Sequence, residues 1–336
     1  MKIFDLNNKA QYPGASAPFY EAYFLKLHLI EEGLAFWFRY TLHFNKEGER
    51  HASLWAFAFD AKNPSHDQGS LVNYSLNSVK QHLNPFAFDL GEYSLSNHAC
   101  SGSVQEASCS LQWDLQFTGM ENSLELFPYA WMYRTKIFPK TKYVTTRPSI
   151  FFSGKIKWNG KDYFVKNAPG MQSHLWGTQH AQSFLWAHSN IFAEDSEAVF
   201  ELVSPRVYVG PYLTPPFHFF YIKMFGKEYC LNSPGVWFQK DILRDLTEWN
   251  FDLKQGNHRF IGAIGANPEQ FLGVRYSDPT GAYRYCNHAE WAMASIEHYE
   301  MKKGRWCLEG TVSSKATTYE WLDSSPHPSV GVSVLG

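Results

Sequence analysis

No stretch of this 336-residue chain approaches the roughly 18 consecutive apolar residues that a membrane-spanning helix needs. Nor does it carry an excess of either charge. Its 30 Lys and Arg face 32 Asp and Glu, for a net charge of −2, which lacks the basic footprint of a nucleic-acid binder. Cysteine is scarce: Cys100, Cys109, Cys230, Cys286 and Cys307 are odd in number, widely spaced and without a C-x-x-C pair. That pattern excludes a disulfide framework and a zinc knuckle and predicts reduced thiols. The sequence has no G-x-G-x-x-G, Walker loop, H-E-x-x-H, G-x-S-x-G or EF-hand loop, so readings that depend on nucleotide, zinc, a hydrolase elbow or calcium lose their anchor. An enzyme without cofactor or metal, or a binding protein, remains. Residues Met1 to Asn7 lack the apolar core of a secretory signal, and the expected location is the cytoplasm.

Aromatic residues are abundant, with 27 Phe, 19 Tyr and 12 Trp. They gather in runs such as Phe36-Trp37-Phe38 and Phe217-His218-Phe219-Phe220-Tyr221, which suit either a core or the walls of a site for a flat or polyene-like ligand. Hydrophobic periodicity is mostly two, in segments of 6–11 residues broken by Gly, Pro, Asn and Ser, and this predicts an all-β protein. Residues 34–44 and 51–60 pair as a hairpin, and Asn159-Gly160 marks a tight turn between strands at 150–158 and 161–167. A long strand is expected over 172–191. Exceptions to the β pattern are an expected amphipathic helix over 236–249, from Phe238, Ile242, Leu246 and Trp249, and a helical turn within 127–135. Two strand series of similar length predict two β domains, 1–193 and 194–336, divided near Ala193-Glu194-Asp195-Ser196.

The densest polar and aromatic constellation is 172–188. If that segment is extended, one face carries Gln172, His174, Trp176, Thr178, His180, Gln182, Phe184, Trp186 and His188, a mixture of imidazoles and indoles that suits a lined cavity better than a plain core. Gly177 is placed to bulge the strand and shift this parity. The histidines are equally readable as core residues, and a metal site made from His174, His180, His188 and Glu201 is a minor alternative. Arg39, in an otherwise apolar strand, is expected to pair with Glu21. Glu201, between Phe200 and Leu202, is a general-acid candidate because an apolar setting raises a carboxyl pKa. Arg206, Arg275 and Glu290 fit exposed strand faces as well as any site.

Several dispersed blocks resemble one family: Phe19-Tyr20-Glu21 with Tyr23-Phe24-Leu25-Lys26-Leu27, Ala35-Phe36-Trp37-Phe38-Arg39-Tyr40-Thr41, Leu54-Trp55-Ala56 with Phe59-Asp60, His174-Leu175-Trp176-Gly177, Trp186-Ala187-His188 with Asn190, and residues 309–320. Together they are similar to the lipocalin-like carotenoid 1,2-hydratases, tocopherol cyclases and AttH-type proteins. The resemblance implies two lipocalin-like antiparallel β domains with a ligand cavity at or near their junction and no organic cofactor. It assigns His174 and Trp176 to the family's His-x-aromatic pair and Glu201 to its downstream acid; from the residues themselves Gln172, Thr178, His180, Phe184, Trp186 and His188, with Arg39 and Glu21, are expected to bind ligand. The family places an acid before that His, where this chain has Ser173. The departure favours a shape-driven cyclase or isomerase of the Diels-Alderase type, acting on a hydrophobic polyene, isoprenoid or polyketide-type molecule. A carotenoid-type hydratase and a non-catalytic carrier are the alternatives.

Overall fold

A computed structural model describes residues 9–12, 15–83, 86–106, 109–120 and 122–336. The first half is a curled antiparallel sheet of eleven strands: β1 (Phe19–Leu29), β2 (Leu34–Phe44), β3 (Arg50–Asp60), β4 (Gln68–Tyr74), β5 (Val79–Leu83), β6 (Phe86–Leu90), β7 (Tyr93–Ser96), β8 (Ala99–Glu106), β9 (Cys109–Gly119), β10 (Thr141–Trp158) and β11 (Lys161–Gly177). β11 returns to pair with β1, so the sheet runs from β4 through β1 and β11 to β5. Between β9 and β10 lies a helical turn, α1 (Trp131–Arg134), where one was expected.

The second half repeats this plan. It contains β12 (Ser183–Ser189), β13 (Val199–Arg206), the small pair β14 (Tyr208–Val209) and β15 (Tyr212–Leu213), β16 (Phe219–Met224), β17 (Lys227–Leu231), β18 (Asp241–Arg244), β19 (Glu248–Gln255), β20 (His258–Gly265), β21 (Leu272–Ser277), β22 (Tyr283–Lys302), β23 (Arg305–Asp323) and β24 (Val332–Leu335). The long hairpin β22–β23 returns to β12 as β10–β11 returns to β1. The fold is all-β and lipocalin-like, as the sequence predicted. No described helix is long and apolar enough to cross a membrane.

Each sheet curls around its own core. In the first half Leu25, Phe36, Phe38, Leu54, Trp113 and Phe152 fill the interior; in the second Phe200, Phe220, Trp249, Phe251, Phe260 and Tyr319 do so. A third cluster joins the halves, with Phe24, Trp37, Trp55 and Phe57 of the first sheet against Trp186, Val274, Tyr276 and Leu322 of the second. β1 and β2 are therefore buried on both faces along their whole length, which explains their near-continuous apolar runs. β9, with one face outward, shows the plain alternation Cys109, Leu111, Trp113, Leu115, Phe117.

Two expectations are corrected here. The segment 236–249 is not an amphipathic helix: a one-turn helix, α2 (Pro234–Trp237), is followed by β18 and β19. Helical spacing would need Phe238 and Ile242 inside, yet both are exposed, while Trp249, Phe251 and Leu253 alternate into the core through pairing with β20. The long strand 172–191 is two strands in different sheets, β11 and β12, and the chain changes sheets at 178–182, ahead of the division read near 193. Asn159 and Gly160 adopt φ of 47° and 83°, the left-handed pair that a tight hairpin turn needs.

β11 stops at Gly177, where a Cβ would sit 2.1 Å from the Lys140 carbonyl oxygen. Backbone cannot yield as a side-chain tip can. Gly177→Ala should therefore lower the unfolding free energy by about 1–3 kcal/mol in urea titrations, whereas Gly235→Ala, whose Cβ has only Ser233 Oγ within 4 Å, at 3.9 Å, should change little. Equal stability of the two variants would contradict this packing.

Candidate active site

The junction between the sheets holds a cavity of about 170 Å³. Its walls come from the even face of β1 (Tyr20, Phe24), the odd face of β2 (Trp37, Arg39), Tyr143 on β10, Trp186 on β12, and Phe219 and Tyr276 from the second sheet. Phe127, Met132 and Phe138, from the segment around α1, close one side. This surface is mostly aromatic, with a few polar tips.

Behind the wall lies Glu201, fully buried. Its Oε1 accepts from the Tyr143 hydroxyl and from Trp186 Nε1 at 2.9 Å, and its Oε2 accepts from Thr145 Oγ1 at 2.6 Å. Burial raises the Glu201 pKa and outweighs these donors. Burial and the adjoining carboxylate hold the Tyr143 hydroxyl well above its usual range, so it remains a donor. Tyr143 lines the cavity and touches Glu201, so a buried acid communicates with the cavity through one hydroxyl.

A second polar chain crosses the junction deeper in. Lys26 Nζ donates to the His188 carbonyl at 3.0 Å and to Thr318 Oγ1, and Thr318 Oγ1 donates to Glu290 Oε2 at 2.6 Å. His288 lies 2.7 Å from Glu290 Oε1 through Nε2 and 2.8 Å from Glu320 Oε1 through Nδ1. An imidazole facing carboxylates at both nitrogens is an imidazolium. Burial opposes that charge, but the bonds to Glu290 and Glu320 prevail and raise His288 to about 9. Burial lowers Lys26 to about 8. Glu320 brings this chain to the cavity wall.

The structure redistributes the residues expected in the site. Arg39, His180, Phe184 and Trp186 line the cavity. His180 stacks on Tyr20 with ring centroids 4.0 Å apart, and burial lowers its pKa to about 3. Gln172, His174 and Trp176 instead point into the interior of the first sheet, because within β11 the odd residues, such as Leu175, face the junction. His174 lies 2.8 Å from Glu21 through Nε2 and stacks on Tyr23 at 4.1 Å and Trp176 at 4.6 Å. Glu21 also accepts from the backbone N–H groups of Gln11 and Tyr12. The expected Arg39–Glu21 bridge does not form, since the two side chains leave opposite faces of the sheet. Thr178 lies in the crossover, its N–H bonded to Lys140 O. His188 faces Pro148 O at 2.9 Å rather than the cavity. The three histidines thus do not converge, and no described group of three His, Cys, Asp or Glu residues is placed to hold a metal.

Sequence reasoning missed Tyr143 because β10 was expected to begin at 150 rather than 141. It left Glu290 undecided, and Glu320 entered only as the end of a resembling block. The signal for both was present: Glu290 stands at the join of two alternating segments, 281–289 and 291–300, and Glu320 inside the alternating segment 316–321.

No protein-family model matches the chain. An uncharacterized protein of Mycobacterium tuberculosis, in two strains, is 25% identical over 203 residues, 60% of this chain. That match spans 59% of the relative's own length. Two solved structures share the fold. An AttH-type protein of Nitrosomonas europaea superposes with a TM-score of 0.52 at 11% identity, covering 94% of this chain and 96% of that one. Kievitone hydratase of Nectria haematococca gives 0.50 at 10% identity, covering 94% and 91%. The resemblance read from the sequence blocks thus extends to the three-dimensional fold.

Two predictions follow from the buried pairs. His174→Ala leaves Glu21 buried without its imidazole, and loss of one member of a buried pair costs about 3–5 kcal/mol, so thermal melting should drop sharply. An unchanged melting temperature would place His174 outside the core. His288 is raised from 6.5 to about 9, so its stabilisation is complete below 6.5 and is lost as pH rises toward 9. Asp67, raised to about 7, acts in the same sense at lower pH, whereas Lys26 and Lys142, lowered to about 8, act oppositely at higher pH. Unfolding free energy should therefore fall between pH 7 and 8, and His288→Gln should flatten that slope; an equal slope in the variant would refute the assignment.

Proposed function

We propose that the junction cavity binds a hydrophobic, unsaturated small molecule and that the chain protonates a C=C bond of it, as a hydratase or isomerase-type enzyme working with its own side chains. The observation that carries this reading is the Glu201–Tyr143 contact: a carboxyl whose pKa is raised by burial, one hydroxyl away from an aromatic cavity. The sequence favoured a shape-driven cyclase because no acid precedes His174. An acid is supplied instead from β13.

In the proposed step the Tyr143–Glu201 hydrogen bond is reversed: the protonated Glu201 carboxyl donates to the Tyr143 oxygen, the phenol proton turns to the cavity and passes to one alkene carbon, and Glu201 refills the phenol. The substrate becomes a carbocation and Glu201 a carboxylate. Trp37, Trp186 and Phe24 present ring faces or edges to that space, and a desolvated cation over such a face gains about 2 kcal/mol. Capture by water completes a hydration, and the proton released returns through Tyr143 to Glu201. Capture by a second double bond or a phenol of the same molecule completes a cyclisation, and loss of a neighbouring proton an isomerisation. Kievitone hydratase, which shares this fold, is named for the first of these outcomes. An aromatic cavity that folds a polyene also supplies proximity, worth roughly 7 kcal/mol or more at effective molarities of about 10⁵ M.

The test is a turnover assay with prenylated phenols and polyenes, read by mass for addition of water or for an isomeric product. Tyr143→Phe and Glu201→Gln should each reduce kcat by about 10²-fold or more with KM little changed, as removal of a proton donor does. Activity should decline with rising pH as Glu201 ionises. Variants that retain full turnover, or an enzyme most active in the ionised range, would overturn the acid assignment.

A further inference from the structure

Arg39 is the unresolved element of the junction. It is 6% exposed, yet it makes no hydrogen bond or ion pair with any described residue; its contacts are ring faces, Tyr276 at 4.9 Å and Trp55 at 5.9 Å from the guanidinium carbon. A buried guanidinium without an anion is costly unless something else supplies one. Arg39 is also not alone. Along the same face of β2, Trp37 Nε1 and Thr41 Oγ1 have no hydrogen-bond partner among the described residues, nor has Trp55 Nε1 on β3, which is directly opposite Arg39 in the ladder. All three residues are more than nine-tenths buried.

These groups border open space. Beside the main cavity is a second one of about 220 Å³, and Tyr20, Arg39, His180 and Tyr276 belong to the walls of both. Thr41, His43, His51, Ser53, Trp55 and Asn73 line the second cavity, and no described Asp or Glu side chain does. Burial lowers His43 to about 4 and lowers His51, so both imidazoles are uncharged donors at neutral pH. The nearby acceptors are already engaged: Asp278 by the His180 N–H and Thr280, Asn73 Oδ1 by Ser53, the Gly336 carbonyl by Ser277, and Glu320 by His288.

We infer that Arg39, with Thr41 and Trp55, forms an oxyanion subsite, and that the substrate of the main cavity is an amphiphile whose acidic oxygen group, a carboxylate or its equivalent, docks there. The inference rests on the reading of the main cavity as the substrate site. A planar guanidinium offers an acidic group two parallel N–H donors, and the neighbouring indole and hydroxyl add two more. Such anchoring fixes which end of an unsaturated chain lies against Tyr143.

The test uses two dyes with one ring skeleton, 8-anilino-1-naphthalenesulfonate, which carries an acidic oxygen group, and N-phenyl-1-naphthylamine, which does not. In fluorescence titrations the native chain should bind the sulfonate about tenfold or more tightly than the neutral amine, as a charge-assisted hydrogen bond allows. Arg39→Gln should abolish that preference while leaving the affinity for the amine within about threefold. Equal affinities in the native chain, or a preference that survives in a folded Arg39→Gln, would overturn the subsite while the main cavity stands. If neither dye binds, the cavity reading fails and the subsite with it. Should Arg39→Gln not fold, Thr41→Val and Trp55→Phe decide: the sulfonate preference narrows in both, or the inference is wrong.

Discussion

Two curled sheets packed against each other leave β1 and β2 with no face in water, and every polar side chain on those strands must find its partner inside the protein. The remainder of the structure is organised by that requirement. Glu21 turns inward and meets His174; Lys26 and His28 turn toward the second sheet and meet the Glu290 network. Arg39 turns the same way and meets only aromatic rings and empty space. The first three are solved within the chain, and the fourth is the one we assign to a ligand.

The same burial has opposite consequences for two glutamates at this junction. Glu290 is surrounded by His28, His288 and, through Thr318, Lys26, so its carboxyl lies well below the ordinary range even though desolvation opposes that charge. Glu201 is bonded to neutral donors, Tyr143, Thr145 and Trp186, which cannot offset desolvation, and its carboxyl is raised. One residue is a fixed anion that holds the halves together. The other is shifted toward its protonated form, as the proposed acid requires. The difference comes from what lies opposite each carboxyl, which a local sequence window around either does not contain.

That limit also describes what the sequence could tell. Period-two alternation sufficed for the strands and their repetition in two halves, because alternation follows from each residue's own backbone and one covered face. Where both faces are covered, alternation carries little information: Glu21 and Arg39 looked like partners, although a sheet separates them. In 172–188 the even residues point inward in β11 and toward the junction in β12, since the change of sheet at 178–182 resets the phase. His174 and Trp186 therefore read as one face and belong to two. Glu201 was legible from its apolar neighbours alone; Tyr143 was not, as its relevance depends on contact with a residue 58 positions away.

The place of the cavity follows from this topology. Both sheets must close by returning a long hairpin to their first strand, and the chain must then pass from the end of β11 to the start of β12 without continuing either ladder. At that crossover Gly177 stops against Lys140, the Gln182 N–H bonds Arg206 O, and His180 is held over Tyr20 by its N–H to Asp278. Neither sheet supplies core side chains to fill the space beside the crossover, so it is lined by the outward faces of both, and those faces are aromatic because they are buried everywhere else. A site arising in this way is walled by paired strands of both sheets. In the proposed reading its chemistry is set by polar tips that reach it, Tyr143 from one side and Arg39 from the other, and the geometry between those two tips decides which bond of a bound molecule meets the acid.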